Sequence, residues 1–249
     1  MEQQRKYPKS DGFYSIIKAE EDYSKNYNRI SNYLKNFDLS NVEKKDRNVL
    51  VEIKKSFSPI MSKDSEFKLT KISNAELNQI PDDKLYIYLI HRYKYEIHPK
   101  KKIIDEYPPY LQIEPTSICN FRCIFCYQKN REFHLKSNGY MGHMDLELFK
   151  RVIDLAENKV QMISIASRGE PTAYKNFIEM LDYCSHKFLV LKINTNASLL
   201  TEKKIHAILR NGISTLVFSA DAANAELYKK LRINGDLEKV KKNIELFHK

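Results

Sequence analysis

The sequence lacks any apolar run long enough to cross a bilayer, and it contains only four cysteines in 249 residues. The longest apolar runs, LYIYLI at 85–90 and FLVLKI at 188–193, fall far short of the roughly 20 residues that a membrane-spanning helix needs. The first residues, MEQQRKYPKSDG, include no apolar core of a secretory signal. We therefore expect no membrane association and a cytoplasmic location, where clustered cysteines indicate metal binding or catalysis more often than disulfides.

Charge does not identify a partner. The formal net charge is +10, but 32 acidic residues are distributed among the basic ones. The densest basic run, PKKK at 99–102, is followed by Asp105 and Glu106, and we interpret it as a solvated linker. Nucleic acid is therefore not an expected partner.

The chain changes character near residue 110. Residues 1–107 form a mainly helical N-terminal region of unknown role. Apolar residues at spacings of three, four and seven predict an amphipathic helix from Tyr14 to Phe37. One or two further short elements are expected between Lys68 and Tyr93, with a break at Pro81.

Residues 108–249 alternate between strand and helix patterns. The predicted strands are LQIEP at 111–115, QMISIAS at 161–167, FLVLKINTN at 188–196 and STLVFSAD at 214–221. A helical pattern follows each strand, with Asp145 as an N-cap and Asn211-Gly212 as a C-terminal stop. The alternation predicts an α/β domain with a parallel sheet, either doubly wound or a barrel.

Polar clusters follow all four predicted strands: the cysteine loop, SRGEP, NTN and SAD. In both α/β architectures the chemistry lies at the carboxyl ends of the strands. The clusters are therefore expected to form one site.

Three cysteines, Cys119, Cys123 and Cys126, have the spacing C-x3-C-x2-C. Cys184 lies far downstream on the apolar face of a predicted helix, where we expect it to pack in the core. One interpretation of the three thiols is a zinc site completed by His134 or His143. The other is a [4Fe–4S] cluster in which three irons bind thiolates and the fourth stays open for a ligand.

The loop resembles the signature C-x3-C-x-Φ-C of the radical S-adenosylmethionine (radical SAM) superfamily, with Phe125 at the aromatic position. The resemblance implies that the open iron binds the amino and carboxylate groups of S-adenosylmethionine. Reductive cleavage then gives a 5′-deoxyadenosyl radical that abstracts hydrogen from the substrate. Such an enzyme needs an electron donor such as flavodoxin or ferredoxin.

Two later loops resemble the family in the expected order. SRGEP is similar to the GGEP motif, which implies that Gly169 and Glu170 contact the methionine amino group; Arg168 replaces the first glycine. NTNASLL is similar to TNG-x-LL, which makes Asn196 either a contact to the ribose or methionine moiety or a turn residue. Ala197 stands where the family often has glycine, and a positive φ there would cost an alanine about 1 kcal/mol.

The segment after the fourth strand resembles S-x-D-G followed by a helix. The resemblance implies that Ser219 contacts the ribose and that Arg232 pairs with the methionine carboxylate. Asp221 points toward the substrate or caps the following helix. Tyr127 lies near the adenine or packs against its neighbours.

The resemblance covers residues 108–247 and is closest to the group with the molybdenum-cofactor cyclase and the SPASM-type maturases. It implies a partial (β/α)6 TIM-like barrel, of which only four βα units are present. We therefore expect the barrel to be truncated, either as a fragment or as a short protein completed by a partner.

The sequence thus predicts a radical SAM enzyme, or its N-terminal part, with a [4Fe–4S] cluster and S-adenosylmethionine. The substrate, whether peptide, protein or small molecule, and any catalytic side chain stay unassigned. Two alternatives remain open: a zinc-stabilised nucleic-acid-binding module, and a truncated protein that binds a cluster without catalysis.

Overall fold

The computed structural model of the chain describes residues 23–58 and 65–248. The chain divides into two compact units, Met1–Pro109 and Tyr110–Lys249. No helix in the described residues is long and apolar enough to cross a membrane.

The described part of the first unit is helical, as predicted. Its helices are α1 (Ser24–Asn36), α2 (Lys44–Ser56), α3 (Lys71–Leu77) and α4 (Leu85–Lys101). Helix α1 lies within the predicted amphipathic segment and buries Ile30 and Leu34, while the predicted part before residue 23 lies outside the described residues. Helix α4 begins four residues after Pro81, and it is longer than the short elements that the sequence predicted.

The basic run at 99–102 is exposed, as predicted, but it ends a helix and is not a linker, so that part of the prediction was wrong. Lys100 and Lys101 form the last turn of α4, and Lys102 ends the helix in a left-handed conformation with φ of 54°. The backbone amide of Ile103 then donates to His98 O at 2.9 Å, as in a common helix C-cap. Cations in the last turn of a helix are stabilised by the helix dipole. The run of charges in the sequence does not by itself reveal that it lies at the end of a helix.

A parallel sheet forms the centre of the second unit. Its strands are β1 (Tyr110–Ile113), β3 (Met162–Ile165), β4 (Val190–Thr195) and β5 (Thr215–Phe218), in that spatial order. All three pairings are parallel, and Ile113, Ile165 and Ile193 lie side by side in the register. A short antiparallel pair, β2 (Arg122–Cys123) with β6 (Arg232–Ile233), was not predicted.

Helices follow the sheet strands in the predicted order. They are α5 (Leu146–Ala156), α6 (Phe177–Cys184), α7 (Glu202–Arg210), α8 (Ala225–Leu231) and α9 (Leu237–Glu245). Short 3-10 turns occur at Leu39–Asn41, Asp82–Lys84, Tyr127–Lys129, Arg131–His134, Lys136–Asn138, Pro171–Ala173 and Leu246–His248. Asp145 caps α5 through the amides of Glu147 and Leu148, and Gly212 takes a φ of 67° after α7. Both predicted helix boundaries are thus confirmed.

The architecture of the second unit is α/β, with four parallel strands that each lead into helical structure, and a helical N-terminal region precedes it in the sequence. This confirms the predicted fold class and the order of the first four units of a TIM-like barrel. The sheet sets the position of the site, because all four strands present their carboxyl ends at one edge.

Cys184 is fully buried at the end of α6, beside the core residues Met180 and Leu181. Burial raises the pKa of its thiol to about 12, so almost no thiolate is present at neutral pH. We expect iodoacetamide to alkylate Cys119, Cys123 and Cys126 in the native metal-free protein, and Cys184 only after unfolding in urea. Peptide mass spectrometry checks this; native alkylation of Cys184 would contradict its place in the core.

Candidate functional site

A cavity of about 390 Å³ lies at the carboxyl edge of the parallel sheet. Nine of the residues predicted from the sequence line it: Cys119, Cys123, Phe125, Cys126, Gly169, Glu170, Asn196, Ser219 and Arg232. Two predicted residues, Tyr127 and Asp221, are not part of the lining, whereas Gln112 and Asn194, which the sequence did not single out, are. The polar loops after the four strands therefore converge on one site.

The cysteine loop is held from both sides. On one side, the amide of Ser117 donates to Gly142 O at 3.0 Å, and Gln128 Nε2 donates to Ser117 O at 2.6 Å. On the other side, β2 pairs with β6, and the amide of Ile124 donates to Leu231 O at 2.9 Å. These contacts fix the path of a loop that contains little regular structure of its own.

Each of two thiols has a donor nearby. The Phe121 amide lies 3.4 Å from Cys119 Sγ, and Arg232 Nη1 lies 3.9 Å from Cys123 Sγ. Burial raises the pKa of both thiols, and the Phe121 amide and Arg232 act in the opposite direction. Donors of this kind stabilise the thiolate form, which is the form that binds metal.

Gly169 lies where the loops after β1 and β3 meet. A Cβ at this position would stand 1.9 Å from Thr116 O and 3.0 Å from Ile118 O. The next amide, that of Glu170, donates to Ile118 O at 2.9 Å. Glycine is thus required here for space, because the two backbones approach more closely than any side chain allows.

Glu170 connects the loops after β3 and β4. Its Oε1 accepts from the Thr172 amide at 3.1 Å, from the Thr172 hydroxyl at 2.5 Å and from the Thr195 hydroxyl at 2.6 Å. Its Oε2 accepts from the Asn196 amide at 2.7 Å. The residue is only 3% exposed, and Oε2, which accepts a single hydrogen bond, keeps further acceptor capacity.

Asn196 lies in a network of side-chain amides. Its Nδ2 donates to Asn120 Oδ1 at 3.1 Å and lies 3.9 Å from Cys119 Sγ. Its Oδ1 accepts from the Ser198 amide and hydroxyl at 2.9 and 2.7 Å. Asn196 is therefore both a turn residue and a residue of the cavity wall. Ala197 takes a φ of 61°, the conformation that we expected to be costly for alanine.

Arg232 is buried and paired with Asp221. Its Nε and Nη2 both donate to Asp221 Oδ2, and its guanidinium lies 5.7 Å from the centre of the Phe125 ring. The alternative of Asp221 as an N-cap was wrong, because Asn224 caps α8 by accepting from the Leu227 amide at 3.1 Å. An arginine within reach gives Asp221 a stronger partner than a helix amide does.

Tyr127 packs at the rim of the cysteine loop. Its ring contacts Phe133 edge to face, with 5.6 Å between centroids. Burial raises the pKa of its hydroxyl, and a hydrogen bond with Ser167 opposes that shift. These contacts agree with the interpretation that Tyr127 packs against its neighbours. Phe125 is the aromatic residue that lines the cavity.

Arg168, the residue in place of the usual glycine, forms a bidentate ion pair. Its backbone amide donates to Glu114 Oε2 at 2.8 Å, and its Nη2 donates to Glu114 Oε1 at 2.7 Å. Burial alone would raise the pKa of Glu114, but the hydrogen bonds from Arg168 outweigh it and lower that pKa. The pair joins the end of β1 to the loop after β3.

Two further residues escaped prediction. Lys204 on α7 donates to Thr172 O at 2.7 Å and to Leu199 O at 3.0 Å, so it supports the same two loops as Glu170. Asn194 has a buried Oδ1 with no hydrogen-bond partner among the described residues. Asn194 lies on β4, two residues before Asn196. Because alternate side chains share a face, this spacing could have predicted that Asn194 faces the same site.

The residues of the cavity fit an iron–sulfur cluster with a bound organic ligand. Within residues 23–58 and 65–248, no group of three His, Cys, Asp or Glu side chains is arranged to hold a single metal ion. All three cysteines line one cavity together with Glu170 and Asn194, whose Oδ1 has no hydrogen-bond partner among the described residues. Thiolates are the donors that bind iron–sulfur clusters, and the remaining polar groups are available for a ligand.

Comparison with known proteins gives one family. The sequence model of the radical SAM superfamily matches residues 113–249. The tungsten-containing aldehyde ferredoxin oxidoreductase cofactor-modifying protein of Pyrococcus furiosus is 31% identical over 142 residues, which cover 55% of this chain and 38% of that protein. A probable GTP 3′,8-cyclase of Methanococcus maripaludis is 31% identical over 131 residues, covering 52% of this chain and 42% of that protein.

Among solved structures, Streptococcus suis SuiB bound to the precursor peptide SuiA matches 82% of this chain and 42% of its own chain. The TM-score is 0.50 and the identity is 22%. At that identity the similarity concerns the fold alone. The matched part of this chain spans about two fifths of the length of these two curated relatives.

The crowding around Gly169 predicts a sharp difference between two glycines. The change Gly169→Ala should lower the free energy of unfolding by about 3 kcal/mol, because its Cβ would overlap the Thr116 carbonyl. The matched control Gly142→Ala, with nothing within 4 Å of its Cβ, should change it by less than about 1 kcal/mol. Urea denaturation measures both; equal effects would refute the close approach.

The Glu114–Arg168 pair predicts a pH dependence. Because the pKa of Glu114 is lowered in the folded protein, its contribution is complete above the ordinary glutamate pKa of about 4.3. It is lost as the pH falls through the folded-state pKa. Relative to wild type, Glu114→Gln should cost about 1 to 2 kcal/mol at pH 7, a difference that shrinks toward pH 3. Urea denaturation across this range measures it.

The control is Glu238→Gln, which removes an exposed ion pair with Lys241 and should cost less than about 0.5 kcal/mol at any pH. A cost for Glu114→Gln that does not vary with pH would show that the charge of Glu114 contributes nothing.

Proposed function

The chain belongs to the radical SAM superfamily, whose members are enzymes with a [4Fe–4S] cluster and S-adenosylmethionine as cofactors, and from this we propose that it holds both in the cavity at the carboxyl edge of its sheet. Cys119, Cys123 and Cys126 are the proposed cluster ligands. The observation that carries the proposal is that three thiols and the buried Glu170 line one cavity of about 390 Å³.

The side chains around the thiols are the proposed contacts for S-adenosylmethionine. Glu170 Oε2, which accepts only one hydrogen bond here, is proposed to accept from the methionine amino group, and Gly169 keeps that approach open. Asp221 occupies Nε and Nη2 of Arg232. Arg232 Nη1 is thus proposed to donate to the methionine carboxylate.

The remaining predicted residues are proposed as contacts to the nucleoside. Ser219 and Asn196 line the cavity with groups that hydrogen-bond a ribose, and Phe125 offers an aromatic face. Tyr127 is proposed to border the adenine from the rim, where it packs on Phe133.

When bound and reduced, the two cofactors supply a 5′-deoxyadenosyl radical that abstracts hydrogen from the substrate. The protein's part is to orient the reactants and to keep water away. We propose a flavodoxin or ferredoxin as electron donor. Its approach to the loop is favoured by the exposure of Ile124 and Phe125, at 42% and 56%.

Reconstitution without oxygen tests this function. We expect about four irons and four sulfides per chain and no zinc, and 5′-deoxyadenosine after addition of dithionite and S-adenosylmethionine. Alanine at Cys119, Cys123 or Cys126 should abolish nucleoside release and lower the iron content. The control Cys184→Ala should keep both, although the buried cavity that it creates costs about 1 to 2 kcal/mol.

Other outcomes would contradict the proposal in distinct ways. Zinc without iron would favour the binding-module interpretation. Four irons without nucleoside release would identify a protein that binds a cluster without catalysis.

A further inference from the structure

The face of the sheet that carries Asn194 also carries a lysine, Lys192. Side chains alternate along a strand, and on β4 Leu191 and Ile193 are buried at 2% and 0% exposure. Lys192 and Asn194 lie on the opposite face and are half-buried. Because Asn194 lines the cavity, Lys192 lies on the cavity face as well, about 7 Å farther from the cysteine end.

Lys192 belongs to a row of polar residues that crosses the whole sheet. In the register, Gln112 on β1 lies beside Ser164 on β3, Ser164 beside Lys192, and Lys192 beside Thr215 on β5. We call these four residues the polar row. The inner layers of such barrels are ordinarily filled by branched apolar side chains. The polar row contains no apolar side chain, so core packing does not explain it.

The polar row also has no structural partners. No hydrogen bond or ion pair involves the side chains of Gln112, Ser164, Lys192 or Thr215 within the part of the chain that the structure describes. The other charged groups at the cavity are engaged: Glu170 accepts four hydrogen bonds, and Arg232 is paired with Asp221. Lys192 is thus the ammonium group on this face without a counter-charge among the described residues.

Asn194 lies between the polar row and the cysteines. Its Oδ1 is buried without a donor, and buried acceptors in proteins are nearly always satisfied. A ligand that reaches from the cysteine end to Lys192 passes this oxygen and can donate to it.

We propose that the polar row is the substrate site and that it selects a substrate with an anionic group, a carboxylate or a phosphate, bound by Lys192. Gln112 and Thr215 supply further hydrogen bonds to that group, and Asn194 Oδ1 accepts from a hydroxyl or amino group of the substrate. The proposal rests on the proposed function, which places the reaction at the cysteine end of the same cavity. A lysine suits either anion because it acts as a point charge.

Competitive acetylation tests this on the reconstituted wild-type chain. The chain is treated with an acetylating ester in 50 mM sodium phosphate, in 50 mM sodium acetate, or in sodium chloride of equal ionic strength. Mass spectrometry then gives the labelling rates of Lys192 and of the exposed Lys203 as internal control. With a Kd in the millimolar range, one anion should slow labelling of Lys192 on the order of tenfold, and that of Lys203 should not change.

Protection by phosphate alone identifies a phosphorylated substrate, and protection by acetate alone identifies a carboxylate. Equal rates for Lys192 in all three salts, or equal slowing of Lys192 and Lys203, would overturn the proposal. In a second measurement, the effective anion should raise the melting temperature of wild type, Lys203→Met and Lys192→Arg. It should fail to raise that of Lys192→Met, and an equal rise there would also refute the site.

The two proposals fail separately. Iron content and nucleoside release, measured on the same wild-type preparation, decide the proposed function. The protection of Lys192 depends only on the inner face of the sheet.

Discussion

The arrangement of the site depends on one buried carboxylate, that of Glu170. A carboxylate at 3% exposure is costly unless it is fully hydrogen-bonded. Here the donors come from both flanking loops: Thr172 after β3, and Thr195 and Asn196 at the end of β4. In this conformation both loops donate to the same carboxylate, so one buried group links two walls of the cavity.

The position of the first thiol follows from that constraint. Asn196, whose amide is held by Glu170, donates to Asn120 and approaches Cys119 Sγ, while the amide of Glu170 itself holds Ile118. The second thiol depends on a separate support, because Cys123 lies in β2 and is paired with β6 and Arg232. The cysteine loop is therefore held at two points by elements distant in sequence. A loop with little structure of its own can thereby hold the three proposed cluster ligands in one cavity.

Features that depend on local periodicity and spacing could be predicted from the sequence. Features that depend on pairing between distant residues could not. The four strands and the Asp145 cap follow from local patterns, and the convergence of the polar loops follows from the carboxyl-edge rule. The individual residues that line the cavity were named from the resemblance to the family. The pairing of Glu114 with Arg168 joins residues 54 positions apart, and no local pattern indicates it. Asp221 was ambiguous for the same reason, because a good N-cap residue becomes an ion-pair partner once Arg232 is brought beside it. The polar row appears only when the register places residues from four strands side by side.

Three positions of the two family motifs show that glycine is retained or replaced for different physical reasons. At Gly169 the backbone of Thr116 leaves no space for a Cβ, so glycine is obligatory whatever the φ. At Arg168 the backbone amide and the side chain both bind Glu114, and a glycine would make only the first of these contacts. At Ala197 the constraint is conformational, since a φ of 61° costs alanine about 1 kcal/mol. Burial of the methyl group acts against that cost, whereas the hydrogen bond from the Ala197 amide to Thr195 Oγ1 would be the same with glycine. The two departures from the motifs thus lie where space permits a side chain, whereas the retained Gly169 lies where it does not.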